Sequence, residues 1–260
     1  MTKVVITGSG AAYGVPSIPR GWGVCDPHNP KNRRLRAGVY VQTDDAHILI
    51  DTAPDLHAQL EMLGLDRIDA VLYTHTHADH LHGLDDLRGM TCCMGHSINF
   101  YATEEHIREI RKRFSYVIAD GAMHKARRPE LEPNEICAMH EFRIHKTAIM
   151  PLAFAGHTMP TTGFSISGGQ VVVVPDFQII PPQTLQYLQE LNVNLLIMPL
   201  TAVCQEAYHA GLETVLHYAE IIQPKRCILT HMGIKCDYEA VAKMTPENMM
   251  PAYDGLTIEL

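Results

Sequence analysis

Short apolar runs with strand or helix spacing occupy the first third of the chain. Alternation predicts strands at residues 4–7, 38–42 and 47–50, and a Thr-Asp-Asp turn between the last two favours a hairpin. Three leucines with helical spacing predict a helix over residues 56–63. The apolar run at residues 70–73 then predicts a strand that ends at a group of histidines.

The remainder of the chain repeats this alternation of strands and helices. A charged surface helix is predicted over residues 104–113, whereas residues 115–134 show no clear periodicity. Further strands are predicted near residues 149 and 164 and at 171–174, 194–198, 227–230 and 256–259, with helices at 184–191 and 212–222. No linker divides the chain, so we expect one domain over residues 1–260, an α+β sandwich of two sheets covered outside by helices.

Composition narrows the classes of partner. The net charge is −8 and no long cluster of Lys and Arg is present, which disfavours nucleic acid as a partner. No apolar run approaches the roughly 20 residues that cross a bilayer. The first residues lack signal-peptide features, and the seven cysteines show no disulfide framework, so we expect a cytoplasmic protein with reduced thiols.

Four candidate metal ligands lie within six residues directly after the strand at residues 70–73. The sequence there is Thr74-His75-Thr76-His77-Ala78-Asp79-His80. Imidazoles and carboxylates are the ligands that zinc and related divalent ions take, and a turn at a strand end can point alternate residues in different directions. A lone histidine is more often a surface or core residue, but four ligands at this spacing favour a metal site that serves two ions.

This run resembles the His-x-His-x-Asp-His signature of the metallo-β-lactamase superfamily, whose fold is a four-layer αβ/βα sandwich. Later segments resemble the family in the same order: His157 follows Ala-Gly, and Asp176 and His231 each follow an apolar strand. The resemblance implies that one metal is held by His75, His77 and His157, the other by Asp79, His80 and His231, with Asp176 bridging both. It further implies that Asp51, which ends a strand, supports the ligand loop.

Such a centre implies hydrolysis. Two divalent ions about 3.5–4 Å apart can share a hydroxide that attacks at neutral pH. We expect two ions, Zn²⁺ or Mn²⁺, and the ligand set also accepts Fe²⁺.

Within the superfamily, the chain resembles the group related to the phosphoribosyl cyclic phosphodiesterase of phosphonate metabolism. Residues 8–16 resemble its opening loop, residues 37–41 its next strand, and His209 its additional active-site histidine. The resemblance implies a small cyclic phosphate or nucleotide-like phosphodiester as substrate. Asp79 and His209 are the predicted catalytic residues, His209 as general acid or phosphate contact; the alternative is a surface histidine at the start of a helix.

Other candidate residues leave two interpretations open. Arg88 and Tyr116 are tentative substrate contacts, although Arg88 could instead pair with Asp85. Residues 115–134 could form a lid, and the basic run Lys31, Arg33, Arg34 and Arg36 could bind phosphate or remain a solvated surface. The family's structural zinc needs three cysteines and a histidine, and because only Cys25, His28 and Cys236 are present we expect no such site.

Three other functions compete with a phosphodiesterase. A 3′-tRNA-processing endonuclease shares the motif, but the acidic balance argues against it. A thioester hydrolase of the glyoxalase II kind needs an additional C-terminal region, and few residues follow His231. A non-catalytic metal-dependent ligand-binding protein would keep the ligands without turnover. A homodimer also stays open.

Overall fold

The computed structural model of the protein describes residues 1–117 and 128–260. Its strands, in chain order, are β1 (Lys3–Gly8), β2 (Gly38–Gln42), β3 (His47–Ile50), β4 (Ala70–Leu72), β5 (Ile98–Ala102), β6 (Leu131–Glu135), β7 (Phe142–Ile144), β8 (Thr147–Phe154), β9 (Thr161–Ile166), β10 (Val171–Val173), β11 (Leu195–Pro199), β12 (Arg226–Thr230), β13 (Met249–Pro251) and β14 (Leu256–Glu259). The helices are α1 (Leu56–Leu63), α2 (Ala78–Leu81), α3 (Leu87–Met94), α4 (Glu104–Arg113), α5 (Pro182–Glu190), α6 (Leu212–Ile222) and α7 (Tyr238–Met244).

The strands form two mixed sheets of seven strands each. One sheet has the order β14-β1-β2-β3-β4-β5-β6 and the other β13-β12-β11-β10-β9-β8-β7. In the first sheet β3, β4, β5 and β6 are parallel, and in the second β10, β11, β12 and β13 are parallel. The carboxyl ends of parallel strands meet at one edge of a sheet, so each sheet collects the segments that follow these strands.

Alternation along the strands explains how the two sheets pack. Val4 and Ile6 of β1 belong to the buried cluster that contains Phe164 of the other sheet, whereas Val5 belongs to a second cluster with α1 and α3. Leu188 of α5 and Val215 of α6 are buried against the far side of the second sheet. Burying each such side chain contributes about 1.5–3 kcal/mol, so the apolar pattern favours the order helix, sheet, sheet, helix.

The predicted sandwich is confirmed, and the bounds of β2, β3, α1, α4, α6 and β14 agree with the sequence-based expectation. The expectation of an irregular segment over residues 115–134 was wrong at its end, where β6 pairs with β5. This edge strand buries only Leu131 and contains Pro133, so it has no apolar alternation to detect. In the described part of the chain, no helix has the length and apolar character needed to span a membrane.

Candidate metal centre

The candidate ligands follow parallel strands of both sheets. β4 leads into the loop with His75 and His77 and into α2 with Asp79 and His80, while Asp176 and His231 follow β10 and β12. The two sheets therefore bring their carboxyl edges together at one site. Sequence reasoning predicted seven ligands, and the structure brings all seven together in adjoining groups.

Two backbone positions at this edge are strained. Asp51 directly after β3 has φ +65°, and His231 directly after β12 has φ +56°. Side chains other than glycine rarely adopt this left-handed conformation, which costs about 1–3 kcal/mol and persists where the surroundings hold it. Both residues belong to the site, so the unfavourable backbone conformation is retained where it orients side chains of the site.

The imidazole triad, defined as His75, His77 and His157, forms the first group. His77 Nδ1 lies 3.1 Å from His75 Nε2 and 2.9 Å from His157 Nε2. His157 follows Gly156, whose φ of +86° and close contact with Gln178 leave no space for a Cβ atom. Three ring nitrogens thus face a common point.

The carboxylate cluster, defined as Asp79, His80, Asp176 and His231, forms the second group. Asp79 Oδ2 lies 3.3 Å from the Nε2 atoms of both His80 and His231. Asp176 Oδ2 lies 3.5 Å and 3.4 Å from the same two nitrogens. Two carboxylates and two imidazoles therefore surround one space.

This geometry fits divalent ions. Ligands about 2.0–2.1 Å from a tetrahedral zinc are separated from each other by about 3.3 Å, which matches the spacing in both groups. His80 Nε2 and Asp176 Oδ1 are buried without a hydrogen-bond partner among the described residues. Buried polar atoms normally have a partner, so these two atoms are suited to an ion.

Each ring nitrogen that faces away from the triad has a hydrogen-bond partner. His75 Nδ1 lies 2.9 Å from Thr74 Oγ1, and His77 Nε2 lies 3.0 Å from Thr158 Oγ1. His157 Nδ1 donates to the main-chain carbonyl of Tyr208 at 3.0 Å. These contacts fix the ring orientations, as partners of metal-binding histidines generally do.

The carboxylate cluster has a charged partner instead. His80 Nδ1 donates to Asp51 Oδ2 at 2.7 Å, and the Thr74 amide and hydroxyl both donate to the same carboxylate at 2.8 Å. Asp51 therefore orients His80 and ties it to the ligand loop, and its support of a bound metal stays a prediction. His231 Nδ1 lies 3.1 Å from Thr201 Oγ1.

Electrostatics differ between the two groups. Burial lowers the pKa of His75 and His77, and neighbouring imidazoles lower each pKa further, so both rings are neutral at pH 7. In the cluster burial acts against ionisation, but His80 and His231 outweigh it and lower the pKa of Asp79 and Asp176. Asp79 and Asp176 are therefore carboxylates.

His209 lies beside both groups. Its Nδ1 is 3.8 Å from Asp176 Oδ2, and its ring centroid lies 4.9 Å from that of His157 and 5.7 Å from that of His231. The ring is half-buried, and burial lowers its pKa although Asp176 opposes this. Its position is that of a site residue, and its predicted role as acid or phosphate contact stays a prediction.

The tentative substrate contacts lie on a neighbouring surface. Arg88 is exposed on α3, and Asp85 accepts a hydrogen bond from the Tyr116 hydroxyl rather than an ion pair from Arg88. Phe114 packs edge-on against His82, 5.5 Å between centroids. Half of the candidate lid, residues 118–127, lies outside the described residues, and substrate contact by Arg88 and Tyr116 stays a prediction.

The basic run near residue 34, expected either to bind phosphate or to remain a solvated surface, instead has partners within the protein. Lys31 lies over the Tyr238 ring and Arg33 over Trp22, while Arg36 pairs with Asp55 at 2.6 Å. Arg34 is buried and donates to the Gly233 carbonyl and to Asn32.

The two cysteines that were considered as ligands of a structural zinc are buried near Arg34. The Cys25 thiol donates to the Cys236 carbonyl, and the Cys236 thiol donates to the Leu200 carbonyl, each at 3.4 Å. Burial raises the pKa of Cys236 to about 12, which keeps this thiol protonated. His28 is exposed.

Sequence reasoning missed several residues that contact the ligands. Thr74 and Thr158 each adjoin a ligand histidine in sequence, so a hydroxyl next to such a histidine was an available signal. Thr201, the Tyr208 carbonyl and Arg113, whose Nη1 donates to the Thr76 carbonyl at 2.5 Å, reach the site only through the fold.

A protein-family model described as the beta-lactamase superfamily domain matches residues 46–232. The chain belongs to the metallo-β-lactamase superfamily, and its fold and His/Asp clusters are those of a metal-dependent hydrolase of that superfamily.

Three individual proteins similar to this chain are 18–28% identical to it. A solved diphosphatase of the PhnP family is 27% identical with a TM-score of 0.89, and the match covers 100% of this chain and 97% of that one. Zinc-bound PqqB from Methylobacterium extorquens is 18% identical with a TM-score of 0.76, over 99% and 100% of the two chains, and shows the fold alone. An octanoyltransferase of Porphyromonas gingivalis is 28% identical over 256 residues; the match covers 98% of this chain but only 51% of that protein.

Proposed function

We propose that the protein is a phosphodiesterase that hydrolyses a small cyclic phosphate or nucleotide-like phosphodiester. The observation that carries this proposal is the position of His209 beside Asp176, His157 and His231, where seven candidate ligand side chains lie together. The full-length likeness to a diphosphatase supports phosphorus rather than carbon as the reacting centre.

The imidazole triad and the carboxylate cluster would each hold one divalent ion, Zn²⁺ or Mn²⁺, with Asp176 between them. Bound ions would lower the pKa of a coordinated water and neutralise the phosphoryl oxygens of the substrate. Asp79 would be both ligand and electrostatic partner of His80 and His231, which keeps those rings oriented.

His209 would act on the substrate itself. A half-buried imidazole at this position can donate a hydrogen bond to a phosphate oxygen or a proton to the leaving oxygen. An anionic phosphodiester favours the protonated ring, whereas a neutral amide or thioester does not. This difference in charge favours a phosphodiester over a β-lactam.

The test is an assay of protein reconstituted with Zn²⁺, Mn²⁺ or Fe²⁺ against cyclic phosphodiesters, aryl phosphodiesters with graded leaving groups, a thioester and a β-lactam. We expect turnover of phosphodiesters alone, and an Asp79→Ala variant without activity. His209→Ala should slow poor leaving groups about 10²-fold or more and good ones much less.

The exposed His57 on α1 gives the matched control, because His57→Ala removes an imidazole that belongs to none of the candidate ligand groups. If His209→Ala slows all leaving groups equally, its acid role is wrong. Preference for the thioester, or no turnover with any of the three metals, would overturn the phosphodiesterase proposal.

Hydrolysis of an acyl thioester is a second candidate. It is favoured by one observation, the 28% identity to part of a protein named as an octanoyltransferase. The chain spans about half the length of that relative, so the name belongs to a longer protein of which this chain matches one part. The same substrate panel separates the two candidates.

A further inference from the structure

A groove of about 120 Å³ lies between the N-terminal loop and the chain segments near Thr201 and Gly233. One wall is the N-terminal loop, defined as residues 11–24. The other wall consists of Thr201, Glu206 and residues 233–235. The side chains that matter are those of Tyr13, Ser17, Arg20, Thr201, Glu206 and Lys235.

Two residues of the lining link the groove to the candidate metal centre. The Thr201 hydroxyl oxygen lies 3.1 Å from Nδ1 of His231, the ring nitrogen that faces away from the carboxylate cluster, and the Glu206 amide donates to the carbonyl of His209 at 3.4 Å. The Ala11 amide donates to the carbonyl of Met232, the residue after His231, at 3.2 Å. A substrate whose phosphate reaches the carboxylate cluster therefore has this groove as its neighbouring space.

The groove has a positive charge that the protein does not balance. Lys235 pairs with Glu206 at 2.7 Å, whereas the exposed Arg20 has no ion pair within residues 1–117 and 128–260. The described lining thus has a net charge of +1 in a chain whose net charge is −8. Tyr13 at the same groove is 74% exposed, so its ring is available for packing.

The wall that holds Arg20 and Tyr13 is fixed in place. Ser17 and Gly21 exchange two main-chain hydrogen bonds, of 2.8 and 2.6 Å, and so close a turn around Arg20. Val24 donates to the Ile234 carbonyl at 2.9 Å, and Gly23 approaches Ile234 so closely that a Cβ atom would lie 2.4 Å from that carbonyl oxygen. A prearranged wall loses little entropy when it binds a ligand.

We propose that this groove is the subsite for the part of the substrate beyond the scissile phosphate, with Arg20 binding a second anionic group and Tyr13 packing on the attached sugar or ring. The inference rests on the proposed function and deepens it, because it selects diesters with a second phosphate over singly charged ones. Arginine pairs with phosphate through two hydrogen bonds. An aromatic ring can stack on the flat face of any base, whichever base it is.

Two probes that differ in the second phosphate test the subsite on the metal-reconstituted enzyme. ADP-ribose is a diphosphate diester, and bis(p-nitrophenyl) phosphate carries one negative charge. Arg20→Ala should raise KM for ADP-ribose about tenfold with little change in kcat, and should leave kcat/KM for bis(p-nitrophenyl) phosphate within about twofold. Arg20→Lys should restore part of the loss, and Tyr13→Ala should weaken ADP-ribose while Tyr13→Phe should not.

Arg143→Ala is the matched control, because Arg143 is an exposed arginine of β7 at the far edge of the second sheet. Calorimetric binding of ADP-ribose to the same proteins separates the two proposals. Binding that is weakened by Arg20→Ala without any turnover overturns the phosphodiesterase and supports the subsite. Equal losses for both probes, no loss for either, or no binding by the wild-type protein overturns the subsite.

Discussion

The imidazole triad and the carboxylate cluster lie side by side but differ in burial and charge. His77 and His157 of the triad are half-buried, and the triad contains no carboxylate. In the cluster Asp79, His80, Asp176 and His231 are 9%, 4%, 2% and 2% exposed, and two of them are carboxylates. Because a buried anion attracts a divalent cation strongly, we infer that the cluster holds its ion more tightly than the triad.

Their supporting contacts differ in the same sense. The triad is oriented by hydroxyls and a carbonyl, whereas His80 of the cluster is oriented by the Asp51 carboxylate. A carboxylate partner also raises the basicity of a ligand imidazole. In the carboxylate cluster, charged partners and burial therefore both favour a bound cation, whereas the partners of the imidazole triad are uncharged.

The largest expected effect comes from Asp176, which belongs to the cluster and also groups with His157 and His209. Asp176→Ala should lower kcat/KM on an aryl phosphodiester by about 10³-fold or more, because it removes the carboxylate between the two groups. Asp176→Asn keeps the shape and removes only the charge, so it should lie close to alanine. Metal content by elemental analysis should fall in both variants; two retained ions with near-normal activity would contradict a shared role.

The next largest expected effect is a difference in affinity between the two bound ions, which a chelator should remove one after the other. Titration with a chelator should remove one equivalent before the other, with affinities on the order of 10² apart. His77→Ala should retain the tightly held equivalent, whereas Asp79→Ala should retain at most the weak one. Loss of both equivalents at one chelator concentration would mean that charge and burial do not separate the two groups.

How much of this could be predicted from sequence depends on whether a signal is local. β2, β3 and α6 agree with expectation because their apolar spacing is regular and their burial follows it. β6 and β7 are edge strands, and neighbouring strands decide their pairing rather than their own pattern. The metal site could be predicted from residues 75–80 because four candidate ligands lie within six consecutive residues.

The contacts that distinguish the imidazole triad from the carboxylate cluster could not be predicted from the sequence. Thr201 and His231 are 30 residues apart in sequence, and His157 and Tyr208 are 51 apart. The groove at Arg20 likewise depends on hydrogen bonds between the N-terminal loop and residues 232–234. Such contacts follow from the register of two sheets, which no local pattern encodes.

Asp51 offers a test of the charged support on the cluster side. Asp51→Asn should weaken the cluster ion about 10–100-fold and the triad ion much less, since His80 loses its charged partner whereas His75 reaches Asp51 through the Thr74 hydroxyl. Asparagine tolerates the left-handed backbone at this position, so the fold should persist. The exposed Asp66→Asn is the control, and metal affinity is measured with a competing chelator. Equal weakening of both ions would show that Asp51 supports the whole loop instead.

The smallest effect should be confined to the triad. Arg113 ends α4, donates to the Thr76 carbonyl at 2.5 Å and pairs with Glu109 at 2.7 Å, so it holds the main chain between His75 and His77. Arg113→Ala should weaken the triad ion roughly three- to tenfold, because one partly exposed, charge-assisted hydrogen bond is lost, and should leave the cluster ion unchanged. Arg108→Ala removes an arginine of the same helix whose ion pair, within residues 1–117 and 128–260, is with the exposed Glu104, and it should change neither affinity. If Arg113→Ala weakens the cluster ion as much as the triad ion, the two groups respond as one unit, and the difference in burial and charge between them has no energetic consequence.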